Sequence, residues 1–180
     1  MKSSYINKID YGDLFKLLCF FNRPKNIIEI GILEGYSLEQ FINNTENCII
    51  KAYDIFDEFN GNGAKYEIIQ KFSDYENVTI DYGDFYKLHK NIDDNSQDII
   101  HIDIANNGDV YEYAIQNYIK KLKKNGILLL EGGSKERDNI EWMIKYNKQK
   151  INSIISKYKN NYEIITIGTI PSITIIKNFL

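Results

Sequence analysis

Acidic residues close one apolar run after another, and that placement is the first sign of chemistry. Glu29 follows Ile27-Ile28, Asp54 follows Ile49-Ile50-Lys51-Ala52-Tyr53, and Asp84 sits in Tyr82-Gly83-Asp84-Phe85 after Val78-Thr79-Ile80. Asp103 follows Ile99-Ile100-His101-Ile102, and Glu131 follows Ile127-Leu128-Leu129-Leu130. Short continuous apolar runs suit strands buried on both faces of a parallel sheet. In open sheets of that kind ligands bind beyond the carboxyl ends of the strands, so these acids would ring one site. Each acid alone could equally be a helix N-cap or a solvated loop charge, a reading that weakens when all of them are taken together. The first run continues through Glu29-Ile30-Gly31-Ile32-Leu33-Glu34-Gly35-Tyr36-Ser37. Gly31 and Gly35 can take positive φ and carry no Cβ, so a ligand could lie against bare main chain, with the Ser37 hydroxyl beside free N–H groups at a helix start. Their Gly-x-x-x-Gly spacing departs from the Gly-x-Gly-x-x-Gly that cradles a pyrophosphate, and the dinucleotide fingerprint is absent.

These residues need strands that alternate with helices, and the periodicity supplies them. A helix is predicted over 10–21 with Asp10 as N-cap and Arg23-Pro24 closing it. Strands are predicted at 26–31, 47–53, 78–80, 98–102 and 126–130, with helices at 36–43, 64–73 and 109–124 and a long helix within 136–158. The tail differs. Tyr162–Ile167 and Ile173–Ile176 are joined by Gly168-Thr169-Ile170-Pro171-Ser172, too short for a crossover helix, so the two strands should pair antiparallel. The expected fold is α/β, a doubly wound and mostly parallel sheet with a C-terminal antiparallel hairpin. It is expected as one domain over 1–180, with a helical segment at 1–24 and a Rossmann-like core at 25–180.

Composition excludes several classes. A chain of 180 residues can bury about 70% of its unfolded surface without staples. Its 22 basic against 25 acidic side chains give no basic field for nucleic acid, and Lys120-Lys121-Leu122-Lys123-Lys124 reads as the cationic end of a helix. Cys19 and Cys48 lie in apolar runs and read as buried thiols in a reducing cytoplasm. No signal-peptide core and no apolar run of membrane-spanning length is present. Oligomeric state is open, a homo-oligomer included.

The stretch Glu29-Ile30-Gly31-x-x-x-Gly35-x-Ser37 resembles motif I of the class I S-adenosylmethionine (SAM)-dependent methyltransferases, and the strand order resembles their seven-stranded sheet over essentially the whole chain. The resemblance is nearest to small-molecule O-methyltransferases of the macrocin O-methyltransferase-like group. It implies SAM as cofactor, with Asp54 accepting from the ribose hydroxyls and Ile55 and Phe56 against the adenine. It also implies that Asp84 receives the adenine amino group and that Gly83 lets the base approach. Glu29 would orient the glycine turn or meet the methionine amino group, and Gly31, Gly35, Ser37 and Asp103 would complete the cofactor site.

Catalysis would fall to Asp103 and Glu131, as base or as metal ligands, with Asn106 orienting the acceptor. Metal-dependent members hold a divalent cation at the ends of the fourth and fifth strands. Here Gly132 stands where a second acid is expected, and Asp103, Glu131 and Asn106 or Asn107 could still hold Mg²⁺. The segment 102–113 lacks the loop histidine of that group, so no histidine base carries over. Arg137 could grip an anionic acceptor, or Ser134 could simply cap the next helix. His101 reads as a core histidine, His89 as a surface one, and Trp142 as helix packing or a pocket wall. The implied reaction is methyl transfer to a hydroxyl, less readily an amine, of a small polar metabolite such as a sugar or nucleotide sugar. A SAM- or nucleotide-binding partner protein without catalysis is the rival reading.

Overall fold

The computed structural model describes residues 2–6 and 10–178. β1 (Asn26–Ile30), β2 (Ile49–Asp54), β3 (Val78–Tyr82), β4 (Gln97–Ile102), β5 (Leu122–Glu131), β6 (Tyr162–Gly168) and β7 (Ser172–Asn178) form one seven-stranded sheet in the order β3-β2-β1-β4-β5-β7-β6. β1 to β5 pair in parallel, while β7 runs antiparallel to both β5 and β6. Strand order reverses beside β1, between β2 and β4, which sets a crevice at the carboxyl ends of these strands.

Side chains alternate across the sheet and give two cores. Ile27, Ile50, Ile99, Leu129 and Ile173 pack on one face with Phe15 of α1 (Gly12–Asn22), Leu38 and Phe41 of α2 (Tyr36–Asn43), and Ile68 of α3 (Lys65–Lys71). Ile28, Ile30, Ile100, Leu128 and Leu130 pack on the other with Phe85 of α4 (Phe85–Leu88), Tyr111 and Ile115 of α5 (Gly108–Tyr118), and Ile154 of a later helix. Each such side chain contributes about 1.5–3 kcal/mol on burial. Cys19 and Cys48 are buried free thiols, and burial pushes them up to about 12 and about 11.

Several boundaries differ from the periodicity, each for a local reason. The long helix expected within 136–158 is α6 (Glu141–Lys145) and α7 (Ile151–Tyr158), because Asn147 turns left-handed and buried Asp138 caps α7 at Ile151 N and Asn152 N (2.7 and 3.0 Å). The lysine cluster is split, with Lys120 and Lys121 in the 3-10 turn (Ile119–Lys121) that extends α5, as expected, and Lys123 and Lys124 in the start of β5, while Lys121 is drawn inward to Ile92 O and Asp94 (2.7 and 2.6 Å). α1 starts at Gly12, whose N–H donates to the Asp10 carboxylate at 2.8 Å from one residue before the N-cap. His89 is buried beside the Tyr113 and Tyr118 rings instead of lying on the surface. No helix among the described residues is long and apolar enough to cross a membrane.

Candidate functional site

Gly31 leaves β1 with φ +92°, donates to Tyr53 O at 2.8 Å, and passes so close to the end of β4 that a Cβ would lie 2.0 Å from Asp103 O. The backbone neighbour, as much as any ligand, requires glycine here. Gly35, at φ +79°, begins α2 where a Cβ would meet the Phe72 ring at 2.5 Å. Ser37 in the first turn of α2 donates its hydroxyl to Glu29 Oε1. Glu29 is fully buried and also contacts His101 Nδ1 at 3.1 Å.

Asp54 ends β2 as the organiser of two loops. Oδ2 accepts from Ile32 N and Leu33 N (2.7 and 3.4 Å), and Oδ1 accepts from Phe56 N and Asn62 Nδ2 (2.7 and 2.8 Å). Those bonds tie the glycine turn to the segment after β2. Asp84, after β3, caps α4 through Tyr86 N at 2.9 Å and pairs with Lys87 at 3.0 Å. The Lys87 ammonium and the Tyr86 N–H hold its carboxyl below the usual range.

These elements enclose a cleft of about 760 Å³ at the carboxyl ends of the strands, a volume suited to a nucleoside-bearing ligand with a small second molecule. Gly31, Ser37, Asp54, Ile55, Gly83, Asp84 and Asp103 line it. Ile104, Asn107, Val110, Tyr86, Trp142 and Lys148 form its other end, with Lys2, Ser3 and Ser4 at the rim. Glu29, Gly35, Asn106 and Glu131 are not among its walls. Gly83 is spare because a Cβ there would sit 2.8 Å from Tyr53 Cβ.

The far end of the site is built on buried charge. Burial, then the nearby Glu131 and Glu29 carboxylates, push the Asp103 carboxyl well above its usual range, while a hydrogen bond from Tyr5 and the Arg137 charge pull it back. Tyr5, fully buried, lies with its hydroxyl 3.0 Å from His101 Nε2, so a polar chain runs from Tyr5 through His101 to Glu29. Nothing local in the sequence marks Tyr5, whose partner is 96 residues away. His101 is the satisfied core histidine that its strand position suggested.

Two of the expected catalytic groups are turned to structural work. Asn106 is fully buried, and its amide donates to Ile102 O and Glu131 O (3.0 and 2.9 Å), so it straps the ends of β4 and β5 together instead of facing an acceptor. Glu131 is gripped by Arg137, Nε to Oε1 and Nη2 to Oε2, both at 3.3 Å. Burial raises the Glu131 carboxyl while Arg137 opposes the rise. Arg137 is itself buried, donates to Asn106 O at 3.1 Å and lies 5.6 Å from the Trp142 ring, which leaves Nη1 as its one nitrogen without a partner among the described residues. Its position is set by Ser134, whose hydroxyl accepts from Arg137 N at 3.0 Å. The Mg²⁺ expectation is thereby corrected. Both Glu131 oxygens face a guanidinium, Gly132 offers no side chain, the Asn106 amide donates to two main-chain carbonyls, and no group of three or more His, Cys, Asp or Glu placed to hold a metal occurs among the described residues.

No family model matches the sequence, and no curated protein matches it. Solved structures do match. A Staphylococcus aureus protein described as a caffeoyl-CoA O-methyltransferase is 21% identical, with 93% of this chain and 82% of that one covered and a TM-score of 0.67. The O-methyltransferase TomG from Streptomyces achromogenes, in complex with SAM, is 14% identical over 97% of this chain and 82% of its own (TM-score 0.69). An O-methyltransferase from Bacillus cereus, in complex with SAH, is 15% identical over 98% and 84% (TM-score 0.67). The chain thus has the class I methyltransferase fold, antiparallel hairpin included.

Proposed function

We propose that this protein is a SAM-dependent methyltransferase that methylates a hydroxyl group of a small polar molecule. The observation that carries the reading is the cleft at the ends of β1 to β4, where bare backbone at Gly31 and Gly83 alternates with Asp54, Asp84 and Asp103. Glu58 adds a further carboxylate against the Lys2 and Lys148 ammonium groups, so the walls favour a cationic ligand. The complexes with SAM and SAH among the structural neighbours support the same cofactor.

When bound, SAM supplies a methyl group on a positively charged sulfur. Asp54 would hold the ribose diol, exchanging its bond from the Asn62 amide for the ligand hydroxyls, since its backbone donors are fixed by the loops. Asp84 and Ile55 would hold the base. Asp103 is the expected catalytic group that reaches the cleft, and its raised carboxyl would take the hydroxyl proton as the acceptor attacks. Alignment and exclusion of water would supply much of the remaining rate. A sugar or nucleotide sugar suits the far end, where Trp142 offers an aromatic face beside Asn107 and Lys148. The buried free thiols suit a reducing cytoplasm.

A second reading, a SAM-binding protein without turnover, is favoured by Asn106 and Glu131 facing away from the cleft. Both readings meet one experiment. SAH release is measured with a panel of hydroxylated acceptors, alongside calorimetric SAM binding. Binding with SAH release supports the enzyme, binding without release on any acceptor favours the partner protein, and absence of binding removes both.

A further inference from the structure

The end of β5 carries a glutamate that should be costly where it lies. Glu131 is 6% exposed, and its charge adds to that of Asp103 at the end of the neighbouring strand. Two carboxylates at adjacent strand ends in a poorly hydrated site need a cation, a proton or both. Arg137 provides the cation. Its guanidinium makes a two-bond fork onto Glu131, and the same Nη2 reaches Asn106 O, so a single planar group joins the β5 end to the loop after β4.

The local chain is arranged to admit that side chain. Gly132, at φ +96°, turns the backbone directly after Glu131, and a Cβ there would stand 3.4 Å from Arg137 Cγ and 3.0 Å from Ile151 Cδ1. A side chain at 132 would press on Ile151 Cδ1 and strain a positive φ, while the Arg137 stem lies beside it at ordinary contact distance, so glycine keeps this turn open next to the arginine. The guanidinium carbon lies over the ring of Trp142, 5.6 Å from its centre, and Trp142 lines the cleft.

We propose that Arg137 is a built-in counter-ion for the Asp103 and Glu131 carboxylates, filling the role of a divalent ion at this end of the cleft and positioning Trp142 as its wall. The inference deepens the methyltransferase reading and rests on it only in treating this end as the acceptor side. Arg137 touches no reacting atom in this account and is a positioning residue. Its removal leaves negative charge uncompensated, and the site then becomes able to recruit a hard cation through carboxylate oxygens.

Mn²⁺ titration followed by the free-ion electron paramagnetic resonance signal tests this without any assay of methyl transfer. Wild-type protein and Arg137→Lys, which keeps the charge, are expected to leave Mn²⁺ free up to about 1 mM. Arg137→Met should bind Mn²⁺ at least about tenfold more tightly than wild type, and adding Glu131→Gln should abolish the gain. The proposal is overturned if wild-type protein takes up Mn²⁺ and Glu131→Gln prevents it, or if folded Arg137→Met binds no more than wild type. Should Arg137→Met not fold, the wild-type, Arg137→Lys and Glu131→Gln titrations still decide. Loss of SAM binding in every variant and in wild type would sink the methyltransferase reading and leave the ion result standing.

Discussion

Acids end the strands on both halves of the cleft, yet they are satisfied in different ways. At β2 and β3, Asp54 and Asp84 are held chiefly by backbone N–H groups, from the glycine turn and from the loops that follow each acid, with one Asn62 amide added on Asp54 and an exposed Lys87 ammonium on Asp84. Backbone donors come with the loop geometry, and both carboxylates still border the cleft. At β5, Glu131 takes a whole arginine side chain and is drawn out of the cleft, while Asp103 at β4 borders it with a carboxyl raised by burial and by its acidic neighbours. An acid held by main chain remains available to a ligand, whereas one held by a buried cation becomes scaffold. Charge at a strand end therefore tells less about role than the kind of donor that meets it.

The sharpest way to break this contrast is at Asp103. If it is the base, Asp103→Asn should lower kcat by about 10²- to 10⁴-fold with SAM affinity little changed. The same substitution should raise the melting temperature at neutral pH. A carboxyl whose folded-state pKa is raised contributes stability that is complete below its unfolded value and lost as pH rises through the folded one, so its ionised form strains the native state. Lower activity with lower stability would place Asp103 with the scaffold instead.

A smaller effect is expected at Asp54, but in two observables. Asp54→Ala should weaken SAM binding by about 1.5–3 kcal/mol and also reduce urea stability by about 1–3 kcal/mol, because the Ile32 and Phe56 N–H groups lose a buried acceptor. A stability loss with unchanged affinity would make the two halves alike, both scaffold.

The pH profile tests the charge coupling. If Asp103 is the base it works ionised, and because its carboxyl is raised the acid limb of kcat/KM should lie above the ordinary aspartate value of about 3.9, with activity climbing as pH rises through it. Arg137 pulls that carboxyl down, so Arg137→Met should move the limb further toward alkaline pH, in the direction that burial, Glu131 and Glu29 already push it and against the Tyr5 hydrogen bond that remains. An unmoved limb would separate Arg137 from the site electrostatically.

The same contrast explains what the sequence made legible. The sheet could be read because each strand is a continuous apolar run and the tail hairpin is too short for a crossover. At the ends of β1 to β3 the informative residues are contiguous, Glu29 to Ser37, Asp54 to Ile55, Gly83 to Asp84, since local backbone geometry does the positioning. The ends of β4 and β5 depend on contacts that no local spacing encodes. Tyr5 reaches His101 across 96 positions, and Asn106 reaches Glu131 O across 25. Even the close pair Glu131 and Arg137 was ambiguous, because Ser134 and Gly132 can equally announce a helix cap or an acceptor loop until the turn is built. The lysines at 120–124 are half legible for a related reason, as Lys120 and Lys121 do end the helical turn after α5 but helix periodicity gives no notice that the strand begins at Leu122.

The most direct measurement is calorimetric titration of SAH into wild-type protein, with NAD as the control ligand. The account predicts saturable one-to-one SAH binding, weakened in Asp54→Ala and retained in Glu131→Gln, with no heat from NAD. Absence of SAH binding by folded wild-type protein, or NAD binding that Asp54→Ala abolishes, would contradict it.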